Sequence, residues 1–264
     1  MVFRYFCSNL IMKTILITGA GSGIGEAAAY SLAEEGNNRL ILVGRSEPKL
    51  NEVLSGLPYA ENHCILSVDV RNAEELRSGL KKILGEGSLE AVFANAGIGG
   101  ENAYGEGDRW DEIVSVNLTG TYVTVMECLP YLRKSTSTYK HVLLTSSILA
   151  RFGVPNHSAY IASKTGILGL TRAWAVEWAR EQILVNAITP GWVETQMSRD
   201  SIQRHADRSA STYEAAYQEQ MNYVPTGRMA QPEELGNFVA FLFSGKQNSI
   251  TGQALDINNG AHMQ

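Results

Sequence analysis

The segment SAYIASKTG places a phenol and an ammonium group one helical turn apart. Tyr160 and Lys164 are separated by four positions, so on a helix their side chains lie on one face. A phenol with a pKa near 10 exchanges protons poorly at neutral pH, but a cation about 4 Å away favours the phenolate. The pair is therefore a candidate acid and base, although the same spacing also arises in helices by chance.

A glycine-rich turn in TILITGAGSGIGEAAAY is a second candidate site, because it joins a strand pattern to a helix pattern. Glycines let the backbone approach a diphosphate, which then lies against the N–H groups of the helix N-terminus. The spacing of Gly19, Gly23 and Gly25 differs from G-x-G-x-x-G and from the P-loop. Ile24 and Glu26 stand where those motifs need glycine and lysine.

The end of the second strand bears on the cofactor. The sequence VGRS places Arg45 twenty residues after Gly25, with no acid before Glu47. An acidic side chain there would hold an unmodified ribose, and an arginine accommodates a 2′-phosphate. The sequence favours NADP(H) and leaves NAD(H) open, as it leaves open that Arg45 is only a solvated loop residue.

Composition excludes several classes of function. The 264 residues are 44% hydrophobic and 19% charged, with a formal net charge of −5 and no basic run, so neither nucleic acid nor an anionic membrane is expected as a partner. Three dispersed cysteines predict neither disulfides nor a metal site and favour a cytoplasmic location. No apolar run is long enough to span a membrane.

Alternating short apolar runs and helical patterns predict the fold class. Strands are expected at 14–18, 40–44, 64–68, 90–95, 141–146, 183–189 and 254–258. Helices are expected at 24–36, 47–56, 73–85, 108–133, 159–182 and 232–243. Near-continuous apolar strands joined by helices predict an α/β fold, a doubly wound parallel sheet covered on both faces, as a single domain over 12–264.

Two segments stand apart from this alternation. Residues 1–11 are expected to be a loose N-terminal extension, since Met12 directly precedes the first strand. Residues 195–230 are polar and helix-prone, and an insertion at the carboxyl ends of the strands is where a substrate lid would lie. Tyr213, Tyr217 and Met221 form one apolar stripe there, which either packs the lid or contacts substrate.

Several short motifs occur in a fixed order, and in that order they are similar to the short-chain dehydrogenase/reductases. The motifs are TGAGSGIG at 18–25, DV at 69–70, NAG at 95–97, VNLTG at 116–120, SS at 146–147, YIASK at 160–164 and PGWVET at 190–195. The resemblance covers residues 13 to 260 and implies a Rossmann-like fold. It also implies hydride transfer between a nicotinamide cofactor and a ketone or secondary alcohol.

The family's catalytic tetrad carries over to Asn117, Ser147, Tyr160 and Lys164. Ser147 is preferred over Ser146 because it lies thirteen residues before the tyrosine. The resemblance implies that the serine hydroxyl orients the carbonyl and that Tyr160 exchanges the proton. It further implies that Lys164 lowers the tyrosine pKa and holds the ribose, and that Asn117 positions a water chain.

The family's cofactor contacts carry over in the same way. Besides Arg45, Tyr160 and Lys164, the implied contacts are Gly19, Ser22, Gly23, Ile24 and Gly25 at the diphosphate, Asp69 and Val70 at the adenine, Asn95 and Gly97 at the ribose, and Pro190, Gly191, Val193 and Thr195 at the nicotinamide. Taken alone, Asp69 reads as the cap of the helix predicted at 73–85.

The lid sequence resembles those of ketoacyl and polyketide ketoreductases, which implies a 3-oxoacyl thioester as the small-molecule substrate. Sugar, steroid, 3-hydroxybutyrate and xenobiotic alcohol dehydrogenases remain enzyme alternatives, and a dinucleotide-sensing regulator is the non-enzyme alternative. In the family, the helix carrying Ala162, Gly166, Gly169 and Ala173 commonly forms a subunit interface, so a homotetramer is implied.

Overall fold

Seven strands alternate with nine helices over residues 12–263, which the computed structural model describes. The strands are β1 (Lys13–Thr18), β2 (Asn38–Gly44), β3 (Cys64–Ser67), β4 (Ala91–Ala94), β5 (Lys140–Thr145), β6 (Ile183–Pro190) and β7 (Ala254–Ile257). The helices are α1 (Gly23–Glu34), α2 (Glu47–Gly56), α3 (Ala73–Leu84), α4 (Trp110–Val114), α5 (Gly120–Lys134), α6 (Ser158–Trp178), α7 (Gln196–Ser209), α8 (Tyr213–Met221) and α9 (Pro232–Phe243). Residues 1–11, predicted to form a loose extension, lie outside this range.

The strands form one sheet, and every pairing in it is parallel. Its order is β3-β2-β1-β4-β5-β6-β7, so the chain reverses its direction of winding between β1 and β4. This switch point opens a crevice at the carboxyl ends of the strands, where open α/β sheets bind their ligands. The predicted doubly wound parallel sheet is confirmed.

The sheet is buried on both faces, which explains why its strands read as continuous apolar runs. On one face α3, α5 and α6 cover a core that includes Leu80, Val125 and Trp178. On the other face α1, α2 and α9 cover a core that includes Leu32 and Phe93. The helices thereby hold the strand ends, and the loops that follow them, in fixed positions.

The helix predicted at 108–133 is wrong in one respect, because the structure divides it. The short helix α4 passes into a π-helical turn at Ser115–Thr119 before α5 continues to Lys134. Side-chain periodicity does not distinguish a π turn from an α-helix, and such turns are frequent at functional sites. The helix predicted at 159–182 ends at Trp178 and continues as one 3₁₀ turn.

The segment predicted as a lid forms two helices, α7 and α8, joined by a short turn at Ala210. They enclose a small core of their own that contains Ile202, Ala206 and Met221, and Tyr213 and Tyr217 pack against it. The two tyrosine rings stack with centroids 6.4 Å apart. The apolar stripe therefore packs α7 and α8 against each other, and its contact with substrate stays a prediction.

No helix among residues 12–263 is long and apolar enough to cross a membrane.

Two residues after β7 the backbone of Asn259 takes a φ of 56°, the left-handed region that glycine and asparagine accept most readily. Its side-chain amide donates to the carbonyl of Arg228 at 2.9 Å, which ties the C-terminal segment to the lid.

Candidate active site

Tyr160 and Lys164 lie in the first two turns of α6, where the helix passes the carboxyl end of β5. The Lys164 Nζ lies 5.6 Å from the centroid of the Tyr160 ring, and it donates a hydrogen bond to the carbonyl oxygen of Thr145 at 2.8 Å. Lys164 is only 3% exposed. The structure therefore brings the phenol and the ammonium group together on one helix face, as their spacing predicts.

Burial dominates the protonation of this pair. Burial lowers the pKa of Lys164 to about 8, because loss of contact with water costs the charged ammonium more free energy than it costs the neutral amine. Burial also raises the pKa of Tyr160, and the hydrogen bond with the Ser147 hydroxyl opposes this only in part. In the protein alone the pKa of Tyr160 is therefore raised, and the lowering by Lys164 that the resemblance implies stays a prediction.

The two adjacent serines at the end of β5 are separated by their partners. The Ser146 hydroxyl is buried and donates to the backbone carbonyl of Lys164 at 2.8 Å, which holds α6 against the strand. Ser147 begins the 3₁₀ turn Ile148–Ala150, and its oxygen accepts from the N–H of Leu149 at 3.1 Å. Its hydroxyl also interacts with Tyr160. This geometry supports Ser147, and not Ser146, as the reactive serine.

Asn117 lies in the π-helical turn and is completely buried. Its Oδ1 accepts from the N–H of Ile98 at 2.8 Å, and its Nδ2 donates to the carbonyl of the same residue at 3.0 Å. Nδ2 also lies 3.2 Å from the hydroxyl of Ser163, which donates to the carbonyl of Tyr160 at 2.7 Å. The side chain of Asn117 thus fastens the loop after β4 to α6.

Gly97 lets these groups converge. A Cβ at this position would lie 3.2 Å from Asn117 Oδ1 and 3.3 Å from Lys164 Nζ. Both distances are tighter than ordinary van der Waals contact, so a side chain would push the amide and the ammonium group apart. The NAG motif therefore supplies a residue small enough for the loop to pass directly over both side chains.

The glycine turn after β1 has the geometry of a diphosphate cradle. Gly19 and Gly23 have φ angles of 67° and 60°, and a Cβ on Gly25 would lie 2.3 Å from the Gly19 carbonyl oxygen. Ser22 begins α1 without a side-chain cap. The turn therefore fits a dinucleotide phosphate, and Ile24 lies in the first turn of α1. One N–H group of the turn is already engaged, because the Glu26 carboxylate accepts from the N–H of Gly23.

The residues predicted at the adenosine end lie together at the ends of β2 and β3. Hydrogen bonds from Arg71 lower the pKa of Asp69, and the charge of the exposed Arg45 adds to this in the same direction. Arg71 donates to the Asp69 carboxylate through Nε at 3.0 Å and through a terminal nitrogen at 2.7 Å. Val70 is buried, and its side chain lies where a Cβ on Gly120 would collide with it.

The reading of Asp69 as a helix cap is wrong. Asn72 caps α3, and its side chain accepts from the N–H of Glu75 at 3.1 Å. Asp69 instead accepts from the backbone and the guanidinium of Arg71. Arg71 was not predicted as part of the site, although its position two residues after Asp69 in the DVR segment could have indicated the ion pair.

Asn95 has a bridging role at the end of β4. Its Nδ2 donates to the Thr18 carbonyl at 3.2 Å, and its Oδ1 accepts from the Thr145 hydroxyl at 3.0 Å. The side chain therefore ties together the ends of β1, β4 and β5. Both polar atoms of the Asn95 side chain are therefore engaged within the protein, and its contact with the ribose stays a prediction.

The residues predicted at the nicotinamide follow β6. The N–H of Gly191 donates to the Ile257 carbonyl at 3.0 Å, directly after Pro190 closes the strand. Val193 is buried and pairs with Ala230. Thr195 caps α7 by accepting from the N–H of Ser198 at 3.4 Å, and its methyl group would be 3.1 Å from a Cβ on Gly23. The Thr195 side chain therefore lies beside the glycine turn.

Contacts between the loop after β4 and the lid were not found from the sequence. Glu101 forms an ion pair with Arg208 of α7, and a Cβ on Gly99 would lie 3.0 Å from the sulfur of Met197. Asn102, also unnoticed, is buried against the start of α6. Among residues 12–263, no cluster of three or more His, Cys, Asp or Glu side chains could hold a metal ion.

Comparisons with known proteins agree with this geometry. A family model described as enoyl-(acyl carrier protein) reductase matches residues 19–262. The chain is 30% identical to the 3-oxoacyl-acyl-carrier-protein reductase FabG of Staphylococcus aureus over 255 residues, which are 95% of this chain and 98% of that protein.

Two solved structures are similar over almost their full length. A variant of actinorhodin polyketide ketoreductase with NADPH has a TM-score of 0.88 and 31% identity, and the match covers 96% of this chain and 98% of the other. The aldohexose dehydrogenase AldT of Thermoplasma acidophilum has a TM-score of 0.82 and 28% identity, covering 96% and 95%.

A doubly wound sheet with a glycine turn after β1, and a tyrosine and a lysine at the carboxyl end of β5, defines the class of nicotinamide-dependent oxidoreductases that act on ketones and alcohols. Within that class, the match over residues 19–262 and the full-length relatives identify the family. The chain belongs to the short-chain dehydrogenase/reductases, as its motifs predicted.

Proposed function

We propose that this enzyme uses NADP(H) to interconvert a 3-oxoacyl thioester and the corresponding 3-hydroxyacyl thioester. One observation carries the proposal: Ser147, Tyr160 and Lys164 meet at the carboxyl end of β5, next to the glycine turn that fits a dinucleotide. The nicotinamide supplies or accepts the hydride, and the protein supplies orientation, a proton and charge.

The roles of the protein groups follow from their surroundings. In the protein alone the Ser147 hydroxyl accepts from the N–H of Leu149 and bonds to Tyr160, and a substrate carbonyl bound between the two side chains would take over the serine hydrogen. The half-buried Tyr160 phenol is protonated at neutral pH, since burial raises its pKa above the ordinary value of 10, so in the reductive direction it can donate a proton to the developing alkoxide. Lys164, held by the Thr145 carbonyl, provides positive charge beneath the phenol.

NADP(H) is proposed over NAD(H) because Arg45 is exposed at the end of β2, where a 2′-phosphate would lie. Arg71 stands near it, but its guanidinium is bound to Asp69. The similarity to a ketoreductase solved with NADPH supports the same cofactor. The ratio of kcat/KM for NADPH and NADH, measured for the wild type and for Arg45→Ala, tests this choice.

The acyl substrate is supported by the relatives and by the lid. Both the 3-oxoacyl reductase and the polyketide ketoreductase match the chain over nearly its whole length, including α7 and α8. An aldohexose dehydrogenase matches to a similar extent, so an aldohexose is the second candidate substrate. The matched family model carries the name of an enoyl reductase, which makes an enoyl thioester a necessary comparison.

The first experiment is the initial rate of NADPH oxidation at pH 7 with acetoacetyl-coenzyme A. Crotonyl-coenzyme A and, with NADP⁺, glucose are measured in parallel. Turnover of the acetoacetyl thioester above the enzyme-free rate is expected. Turnover of only crotonyl-coenzyme A would assign reduction of a carbon–carbon double bond, and turnover of only glucose would assign a sugar dehydrogenase.

Substitution of the tyrosine tests the mechanism. Tyr160→Phe is expected to lower kcat by about 10² to 10⁴ while NADPH still binds, because only proton transfer is removed. Tyr122→Phe is the matched control, since Tyr122 is 49% exposed on α5 and its ring packs against Trp174. Unchanged turnover in Tyr160→Phe would refute the assignment.

The homotetramer and the cytoplasmic location remain predictions. Within one chain, a Cβ on Gly166 would meet Leu118 at 3.0 Å, whereas Gly169 has nothing within 4 Å. The side of α6 that carries Gly169 therefore has room for another helix. A tetramer would have about four times the chain mass of 28.8 kDa in light scattering.

A further inference from the structure

The helix that carries Tyr160 begins without a cap of its own. His157 occupies the N-cap position of α6, but its side chain makes no capping hydrogen bond and its ring lies 2.8 Å from the Pro155 carbonyl. Helix N-termini leave their first N–H groups without partners inside the helix. Tyr160 is the third residue of α6, so its orientation depends on what holds this first turn.

Asn102, in the loop after β4, provides the missing cap. Its Oδ1 accepts from the N–H of Ala159 at 2.9 Å and from the hydroxyl of Ser158 at 3.2 Å. Its own backbone N–H donates to the Asn156 carbonyl at 2.8 Å. The residue is 8% exposed, so these hydrogen bonds are largely shielded from water.

The amide is itself held in one orientation. Nδ2 of Asn102 donates to Asp108 Oδ1 at 3.3 Å, and the same carboxylate oxygen accepts from the N–H of Trp110 at the start of α4. Because the Nδ2 group faces a carboxylate, the Oδ1 atom must face Ala159 and Ser158. The contacts therefore connect α4, the loop and α6 through one side chain.

The same loop touches the rest of the site. Ile98 is fastened by Asn117, and Glu101, directly before Asn102, pairs with Arg208 of the lid helix α7. A displacement of the lid therefore acts on the residue next to the cap. Among the side-chain hydrogen bonds of residues 12–263, only that of Asn102 with Ala159 joins this loop to an N–H group in the first turn of α6.

We propose that Asn102 is a positioning residue for Tyr160: it caps α6 from outside the helix and thereby couples the loop after β4 to the orientation of the phenol. The proposal rests on the proposed function, in which Tyr160 transfers the proton. Asn102 does not touch the reacting atoms. It fixes the turn from which the phenol extends, and catalytic steps are sensitive to small misplacements of the reacting groups.

The test compares Asn102→Ala with the reversed pair Asn102→Asp/Asp108→Asn. The alanine variant is expected to lower kcat by about tenfold to a hundredfold while the Kd for NADPH stays within about twofold, because orientation and not cofactor binding is lost. The double variant keeps the net charge and reverses donor and acceptor between the two side chains, while the amide oxygen introduced at position 108 still serves as an acceptor for the N–H of Trp110. Because a carboxylate caps a helix as well as an amide does, it should recover kcat to within about threefold of the wild type.

Two readouts do not depend on turnover. Hydrogen exchange of the amides at 158–162 should be faster in Asn102→Ala and normal in the double variant. In protein labelled with ¹³C at the tyrosine ζ carbon, the signal missing from Tyr160→Phe reports its titration. That titration should move toward the ordinary pKa in Asn102→Ala, because a looser first turn admits water to the phenol.

Glu106→Gln is the matched control, because Glu106 is exposed in the same loop. An unchanged kcat and tyrosine titration in Asn102→Ala would overturn the proposal. So would a double variant that folds but stays as slow as Asn102→Ala, and if the alanine variant does not fold, the double variant decides. Absence of ketone turnover in the wild type would instead refute the proposed function, while exchange and titration would still test the positioning role.

Discussion

Replacement of Lys164 by methionine should stabilise the cofactor-free protein at neutral pH. Lys164 is 3% exposed, and burial lowers its pKa from the ordinary 10.5 to about 8. A lowering of about 2.5 corresponds to about 3 kcal/mol of unfavourable free energy when the group is charged in the folded state. Methionine removes this cost and forfeits the hydrogen bond to Thr145, which is worth about 1 kcal/mol. A net gain of about 2 kcal/mol at pH 7 follows.

The pH dependence has a definite sign. Between pH 8 and 10.5 the unfolded state binds more protons at Lys164 than the folded state does, so wild-type stability rises with pH relative to the variant. The cost of the charge falls from about 3 kcal/mol at pH 7 to about 1.4 kcal/mol at pH 9.5. The advantage of Lys164→Met should therefore be nearly gone at pH 9.5.

Urea unfolding of both proteins at pH 7, 8, 9 and 9.5, followed by circular dichroism, measures this difference. Lys82→Met, at an exposed position of α3, controls for the loss of a lysine and should show a difference that is independent of pH. A difference between wild type and Lys164→Met that stays constant over this range would refute the reasoning. It would mean that water reaches the ammonium group in the folded protein.

Two further predictions concern the glycine turn and a buried histidine. Gly25→Ala would place a Cβ 2.3 Å from the Gly19 carbonyl oxygen, so its affinity for NADPH, measured by calorimetric titration, should fall by more than about tenfold. Gly169→Ala is the control, because a Cβ there has nothing within 4 Å, and it should bind NADPH as tightly as the wild type does. Equal affinities would show that the turn does not hold the diphosphate. Burial lowers the pKa of His141 to about 4, so the unfolded state takes up its proton first as the pH falls below 6.5. Relative to His141→Leu, the wild type should lose about 3 kcal/mol between pH 7 and pH 4 in urea unfolding, and parallel curves would contradict this.

The sequence determined the fold class because burial on both faces leaves a local signature. Runs such as TILIT and HVLLTS have no polar face, and only a parallel sheet covered by helices buries such strands in this alternation. The glycine turn is also local, since the positive φ of Gly19 and Gly23 depends on adjacent residues. The pairing of Tyr160 with Lys164 follows from helical spacing alone.

Other features were decided only by tertiary contacts. The π-helical turn at Asn117 and the cap that Asn102 gives to α6 depend on loops that are distant in sequence, so no periodicity announces them. The cap on α3 is local by contrast: Asn72 directly precedes the helix, and the Asp69 carboxylate is bound by Arg71 two residues away.

The protonation of the central pair shows the same division most clearly. Spacing placed the cation of Lys164 beside the phenol of Tyr160, but only the packed structure shows how far both groups are removed from water. Desolvation then moves the two pKa values toward each other, lowering that of the lysine and raising that of the tyrosine. The sequence determined which groups meet, and the tertiary structure determined the direction in which their pKa values move, because desolvation depends on every atom that surrounds a group and not on the spacing between two of them.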